Sequence, residues 1–188
     1  EVSLKKKIYY NVELSKTFLA MNEYEQSKDI LEVLVDKYGE NSVSKKELVE
    51  TYYLLGEIYF EFYWDFETSQ QFYQNAIDIS KSSTYGKKSQ NNVSSIINYS
   101  NLEEEISYQE IISVEEKTQE SDNDLMNIPL NSNGLDSLIF HSAQILYFDL
   151  DAKDSAAHRF KHIIDNYLDS DYRYKSLIIL DIENPNSK

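Results

Sequence analysis

The chain has 188 residues, of which 41% are hydrophobic and 27% charged, enough apolar material for a core within one domain or one short repeat array. With 4 Gly and 2 Pro it lacks the turn residues of a many-stranded β protein, and its formal charge of −15 argues against nucleic acid and anionic lipid surfaces as partners. It has no cysteine, which removes disulfides, thiolate metal sites and Cys nucleophiles, and no apolar stretch approaches the ~18–20 residues of a membrane-spanning helix.

In chain order, the first helical hairpin is expected over residues 6–38. Leu14 and Phe18, then Leu31, Leu34, Val35 and Tyr38, fall at helical spacing. A second hairpin, 49–81, repeats the pattern with Tyr52, Leu55 and Tyr59 followed by Tyr73, Ala76 and Ile77. Residues 86–118 read as an irregular helical pair, with Val93, Ile96 and Ile97 in one half and Leu102, Ile106, Ile111, Ile112 and Val114 in the other. Nine acidic side chains between 101 and 124, against Lys117 alone, read as a solvated charged face. From 119 to 134 the Ser, Asp, Asn and Gly content, with Pro129, predicts an acidic flexible loop. A third hairpin, 136–168, carries Leu138, Ile145 and Leu146, then Ala156, Phe160, Ile163, Ile164 and Tyr167, and residues 183–188 form a frayed tail behind a single repeat domain, 1–182.

The hairpins are related. Shifting the sequence by 87 residues places Tyr73, Ile77, Asp78, Ser83, Tyr85, Lys88 and Ser89 opposite Phe160, Ile164, Asp165, Ser170, Tyr172, Lys175 and Ser176. Upstream in the same register Tyr53, Gly56 and Ile58 face Phe140, Ala143 and Ile145, and the first hairpin aligns through Leu31, Leu34, Val35, Asp36 and Tyr38. Reading Leu14-Ser15-x-x-Phe18, Ser27 and Leu31 beside Leu55-Gly56-x-x-Tyr59, Ser69 and Tyr73 gives the same order of large and small positions, with one extra residue in the second turn; the third hairpin shares that extra residue. These residues resemble the tetratricopeptide repeat, a unit of about 34 residues with a small residue in each helix. The stretches Tyr167-Leu168-Asp169-Ser170-Asp171-Tyr172 and Ser82-Ser83-Thr84-Tyr85 are similar to the unit junctions of bacterial cell-envelope repeat proteins, a group that includes the lipoprotein subunit of the outer-membrane β-barrel assembly machine. Leu168 and Lys81 stand where those junctions carry proline.

The resemblance implies an all-α fold of antiparallel helical hairpins stacked in a right-handed superhelix, because one hairpin cannot cover its own apolar face. It also implies that the first helix of each hairpin lines a groove, at Tyr9, Val12, Lys16, Tyr53, Glu57, Phe60, Phe140, Gln144 and Tyr147. The expected function is then non-enzymatic: a scaffold that binds a protein or peptide, with the acidic surface favouring basic residues in the partner. The alternative is a structural subunit of an outer-membrane or envelope-coordination assembly, periplasmic by resemblance. A signal or lipid-anchoring segment upstream of Glu1 is compatible with both.

Catalytic and metal chemistry find little support. No Gly-rich phosphate loop, nucleophile elbow or dinucleotide fingerprint occurs, so no cofactor is expected. His158 and His162 share a helix face and are the weak candidates for a metal site, yet Arg159 occupies the place where the zinc-protease motif requires Glu. A third, minor expectation is therefore a metal-binding protein that uses these two imidazoles.

Overall fold

The computed structural model describes residues 3–39, 44–119 and 134–183. It is all-α, and no strand occurs among the described residues. The helices are α1 (Leu4–Ala20), α2 (Tyr24–Tyr38), α3 (Lys45–Glu61), α4 (Phe66–Ser80), α5 (Thr84–Gln119), α6 (Leu135–Gln144), α7 (Lys153–Asn166) and α8 (Asp171–Glu183). A π-helical stretch, Ile145–Asp149, follows α6 directly. The chain divides into two compact units, Glu1–Ile96 and Ile97–Lys188.

In the first unit α1 packs on α2, α2 on α3 and α3 on α4. Its core joins Ile8 and Val12 of α1, Leu31 and Leu34 of α2, and Leu54, Leu55 and Ile58 of α3. Each such side chain contributes about 1.5–3 kcal/mol of burial. The face of α1 that enters this core is Ile8, Val12 and Ser15, at i, i+4 and i+7. Leu14, expected in the apolar stripe, is exposed, and Val12, expected in the groove, is sealed at 1% exposure because α3 lies over it. In the second unit α6 packs on α7 and α7 on α8, burying Ile139, Ala143, Leu146, Ala156, Phe160 and Ile163.

The aligned small residues behave alike. Ser15 and Ser27, Gly56 and Ser69, and Ala143 and Ala156 are all buried, one pair where the two helices of each hairpin meet. Gly56 makes the reason plain: a Cβ there would stand 2.5 Å from the ring of Tyr73.

All three hairpin turns use one device. Asn22, Trp64 and Asp151 have left-handed backbones, with φ of 60°, 56° and 52°. The next residue closes each turn, through Glu23 N to Phe18 O at 2.9 Å, Asp65 N to Tyr59 O at 2.9 Å and Ala152 N to Leu146 O at 2.8 Å. The second and third spans are one residue longer, and the extra residue widens the end of the helix: Tyr63 N reaches Ile58 O, and Leu150 N reaches Ile145 O at 3.0 Å. A left-handed non-glycine residue costs about 1–2 kcal/mol, less for Asn and Asp. Asp151, whose side chain is largely exposed, can lose that cost without losing packing. Asp151→Gly is expected to raise stability by up to about 1 kcal/mol and Asp151→Val to lower it by about 1–2 kcal/mol, read from urea midpoints.

Helix starts are conserved between the matched copies as well. Ser83 Oγ accepts from Gly86 N and Ser170 Oγ from Tyr172 N, both at 3.0 Å, satisfying N–H groups in the first turns of α5 and α8. The second hairpin adds Asp65, whose carboxylate accepts from Thr68 N at 3.0 Å and is held below its ordinary pKa by that bond.

The expected helical pair over 86–118 is instead one helix, α5, of 36 residues. Between Gly86 and Pro129 no glycine or proline interrupts the backbone, so nothing there forces a turn. The expected acidic loop lies outside the described residues except for Gln119 and Gly134, and the expected tail does so beyond Glu183.

Candidate functional site

On the first unit, one face collects side chains from α1, α3 and the beginning of α5. Tyr9, Glu13 and Lys16 share a face of α1 through i, i+4 and i+7 spacing. Lys16 Nζ lies 2.5 Å from Glu13 and donates to Glu50 Oε1 of α3 at 3.0 Å. From the other side Tyr85 OH of α5 donates to the same Glu50 oxygen at 2.8 Å. Glu50 thus joins three helices through one carboxylate.

A second crossing lies two turns further along α3. Tyr73 OH and Asn92 Nδ2 both donate to Glu57 Oε1, at 2.7 and 2.9 Å. Between the two carboxylates sits Tyr53, with its ring 5.8 Å from that of Tyr73 and 5.1 Å from that of Tyr85. Lys88 Nζ lies 5.5 Å from the centre of the Tyr53 ring and 5.7 Å from that of Tyr85, within cation–π range.

The protonation states follow from these contacts. The bond to Glu13 is the main reason that the Lys16 ammonium is held protonated above its ordinary range; partial burial opposes it and Glu50 reinforces it. Burial first, and the neighbouring Glu57 charge second, push the Tyr53 and Tyr73 phenols upward. Burial and Glu50 do the same for Tyr85. All three phenols are therefore neutral donors near neutral pH, and the two glutamates are their acceptors.

The second unit carries the matched arrangement. Phe140 stands where Tyr53 does, 5.6 Å from Phe160 and 5.0 Å from Tyr172. Lys175 Nζ lies 4.4 Å from the Tyr172 ring centre and 5.9 Å from that of Phe140. The 87-residue register thus reproduces an aromatic trio with a lysine over it, and the ring separations agree within about 0.2 Å. In place of the carboxylate links, Ser137 Oγ donates to Tyr172 OH at 3.0 Å and Ser170 Oγ donates to Asp136.

The expected groove residues separate accordingly. Lys16, Tyr53 and Glu57 come together on the first unit, with Tyr9 exposed on the Lys16 face of α1. Phe60 does not join them. It is 3% exposed, enclosed by Trp64 and Phe66 at 5.7 and 5.3 Å where α3 turns into α4, so it is a core residue and offers no contact area. Phe140 is likewise closed, at 4% exposure, by Phe160, Tyr172 and the Lys175 stem. Gln144 and Tyr147 are half-buried, and Lys153 Nζ lies 5.9 Å from the Tyr147 ring centre.

Glu50, Tyr85, Lys88 and Asn92 were not expected on this face. Tyr85 and Lys88 were nonetheless visible as matches to Tyr172 and Lys175, while Glu50 and Asn92 fall opposite Ser137 and Ile179, of which only Ser137 keeps a polar link to the matched tyrosine. The acidic run is also less uniform than a solvated face. Arg159 of α7 pairs with Glu103 and donates to Tyr99 OH at 3.1 Å, with its guanidinium 5.6 Å from the Tyr99 ring centre.

His158 and His162 are exposed, and each ring turns to its own helix. His158 Nδ1 is 3.0 Å from Asp154 O, and His162 Nδ1 is 3.2 Å from Asn166 Nδ2. Among the described residues no group of three or more His, Asp or Glu side chains is placed to hold a metal ion. No described helix is long and apolar enough to cross a membrane. The fold and this face define an all-α protein of helical hairpins with a recurrent aromatic–lysine arrangement. In comparison with family models, curated proteins and solved structures, the chain matches none.

Proposed function

We propose that the chain is a non-enzymatic scaffold of the tetratricopeptide type, which binds a protein or peptide segment along the first-helix face of its hairpins. The observation that carries this reading is the ladder across α1, α3 and α5, in which Lys16, Tyr53, Glu57, Tyr85, Lys88 and Asn92 reach the surface over buried Glu50 and Tyr73: Lys16–Glu50–Tyr85, the Tyr53 ring under Lys88, and Glu57 with Tyr73 and Asn92. Cross-helix hydrogen bonds hold its side chains in place before any partner arrives, so little side-chain freedom is lost on binding. Aromatic rings beside carboxylates suit a partner's Lys or Arg, and Lys88 already demonstrates that the Tyr53–Tyr85 pair accepts an ammonium. The chain's charge of −15 steers the same class of partner.

Site-specific photo-crosslinking tests this. A photoreactive phenylalanine at Tyr9 or Lys88, both exposed, is expected to trap one common partner in the native cell. The same group at Gln71 or Gln74, exposed on α4, is expected to trap none. Equal trapping from α4, or none from the ladder face, would remove the groove as the binding surface.

A further inference from the structure

We propose that the outward face of α8 is a docking surface for a basic amphipathic helix of another protein. Tyr174, Leu177 and Ile178 stand at i, i+3 and i+4, and they are 73%, 40% and 59% exposed. Three large apolar side chains on one turn form a stripe of the kind that a partner helix covers.

The repeat itself shows that the fold does not require this stripe. In the 87-residue register Tyr174, Leu177 and Ile178 correspond to Lys87, Gln90 and Asn91 at the beginning of α5. Those helices are equivalent: each follows a capping serine, Ser83 or Ser170, and each sends a Tyr and a Lys to the aromatic trio. The same face of the same repeat helix is polar in one copy and apolar in the other. Its apolar character therefore serves something other than the packing of the unit.

Charge selects the occupant. Residues 97–188 carry 18 Asp and Glu against seven Lys and Arg. Asp171 and Asp181, both exposed, lie one turn before Tyr174 and one turn after Ile178 on the same stripe. An apolar stripe with a carboxylate at each end fits a helix with Leu-type side chains on one face and Lys or Arg around it. A second copy of this chain would bring a formal charge of −15 and the same two flanking carboxylates to the contact, which like-charge repulsion opposes. The inference stands on α8 alone and does not depend on the ladder face.

The probe is a helical peptide of about 18 residues, five turns, made only of Leu and Lys in an amphipathic pattern. It is titrated against the full chain by fluorescence anisotropy. Leu177→Gln with Ile178→Asn installs the residues of the sister copy without changing charge. The variant is expected to bind about tenfold more weakly, with an unchanged circular dichroism spectrum and melting temperature. A scrambled peptide, and one with Glu in place of Lys, are expected to lose a similar factor. Undiminished binding by the variant, or equal binding of the Glu peptide, overturns the proposal. A melting temperature lowered by several degrees would return the stripe to the fold, and a wild-type dimer that the variant dissociates in sedimentation would assign it to a second copy. Either result also overturns it.

Discussion

Replacing Tyr73 by Ala is expected to remove about 3–5 kcal/mol of stability, the range for a fully buried aromatic side chain. The ring has no measurable exposure and fills the space left by Gly56 on the facing helix. Its hydroxyl is the one polar feature, donating to Glu57 Oε1 at 2.7 Å. Tyr73→Phe separates the two contributions. It keeps the packing and leaves Glu57 with Asn92 as donor, so a loss of only about 1 kcal/mol is expected. Urea unfolding followed by circular dichroism gives both values. A loss below about 1.5 kcal/mol for Tyr73→Ala would mean that the second hairpin closes around the cavity, and that this ring does not organise it.

That residue illustrates why the hairpins were legible in the sequence. The pairing of a large ring with a small residue on the opposite helix is a constraint on volume, and volume is written directly in residue type. Tyr73 opposite Gly56 and Phe160 opposite Ala143 repeat at a fixed interval because the same inter-helix gap is filled twice. The turns were legible for a similar reason, since an extra residue between Tyr59 and Trp64 has to be absorbed somewhere, and a wider helical turn absorbs it.

Other features depend on which neighbour covers a helix, and a pattern within one helix does not carry that. Leu14 and Val12 both suit an apolar stripe, and only the position of α3 decides that Val12 is inside and Leu14 outside. The continuity of α5 is similar. Imperfect apolar spacing suggested two helices, but an uninterrupted backbone needs no break merely because its buried face changes. The site divides along the same line. Tyr53 and Glu57 could be placed from repeat position, whereas Phe60 is covered by Trp64, a residue whose left-handed backbone returns its ring over the helix end. The Lys16–Glu50–Tyr85 link joins residues 34 and 35 positions apart, and no local pattern predicts which carboxylate two distant donors will share.

Enlarging Gly56 is expected to destabilise the second hairpin. An Ala Cβ would sit 2.5 Å from one Tyr73 ring carbon and 2.6 Å from another, and the ring is tethered in place by its hydroxyl bond to Glu57 at 2.7 Å. Overpacking of this kind costs about 1–3 kcal/mol. The gain in helix propensity from Gly to Ala offsets about 1 kcal/mol of it. Gly56→Ala is therefore expected to cost up to about 2 kcal/mol net, and Gly56→Val, with two further methyl groups and a stiff β-branch, more than about 3 kcal/mol. The sister unit accommodates Ala143 at this position, facing Phe160, a ring without the hydroxyl tether to a glutamate. Tyr73→Phe should free the second-hairpin ring to make more of the shift, about 1 Å, that Ala requires. The double variant Gly56→Ala, Tyr73→Phe is thus expected to lose about 0.5–1 kcal/mol less than the sum of its parts, measured as a double-mutant cycle in urea. Strict additivity would show that backbone spacing between α3 and α4, and not the Tyr73–Glu57 bond, fixes the ring against Gly56.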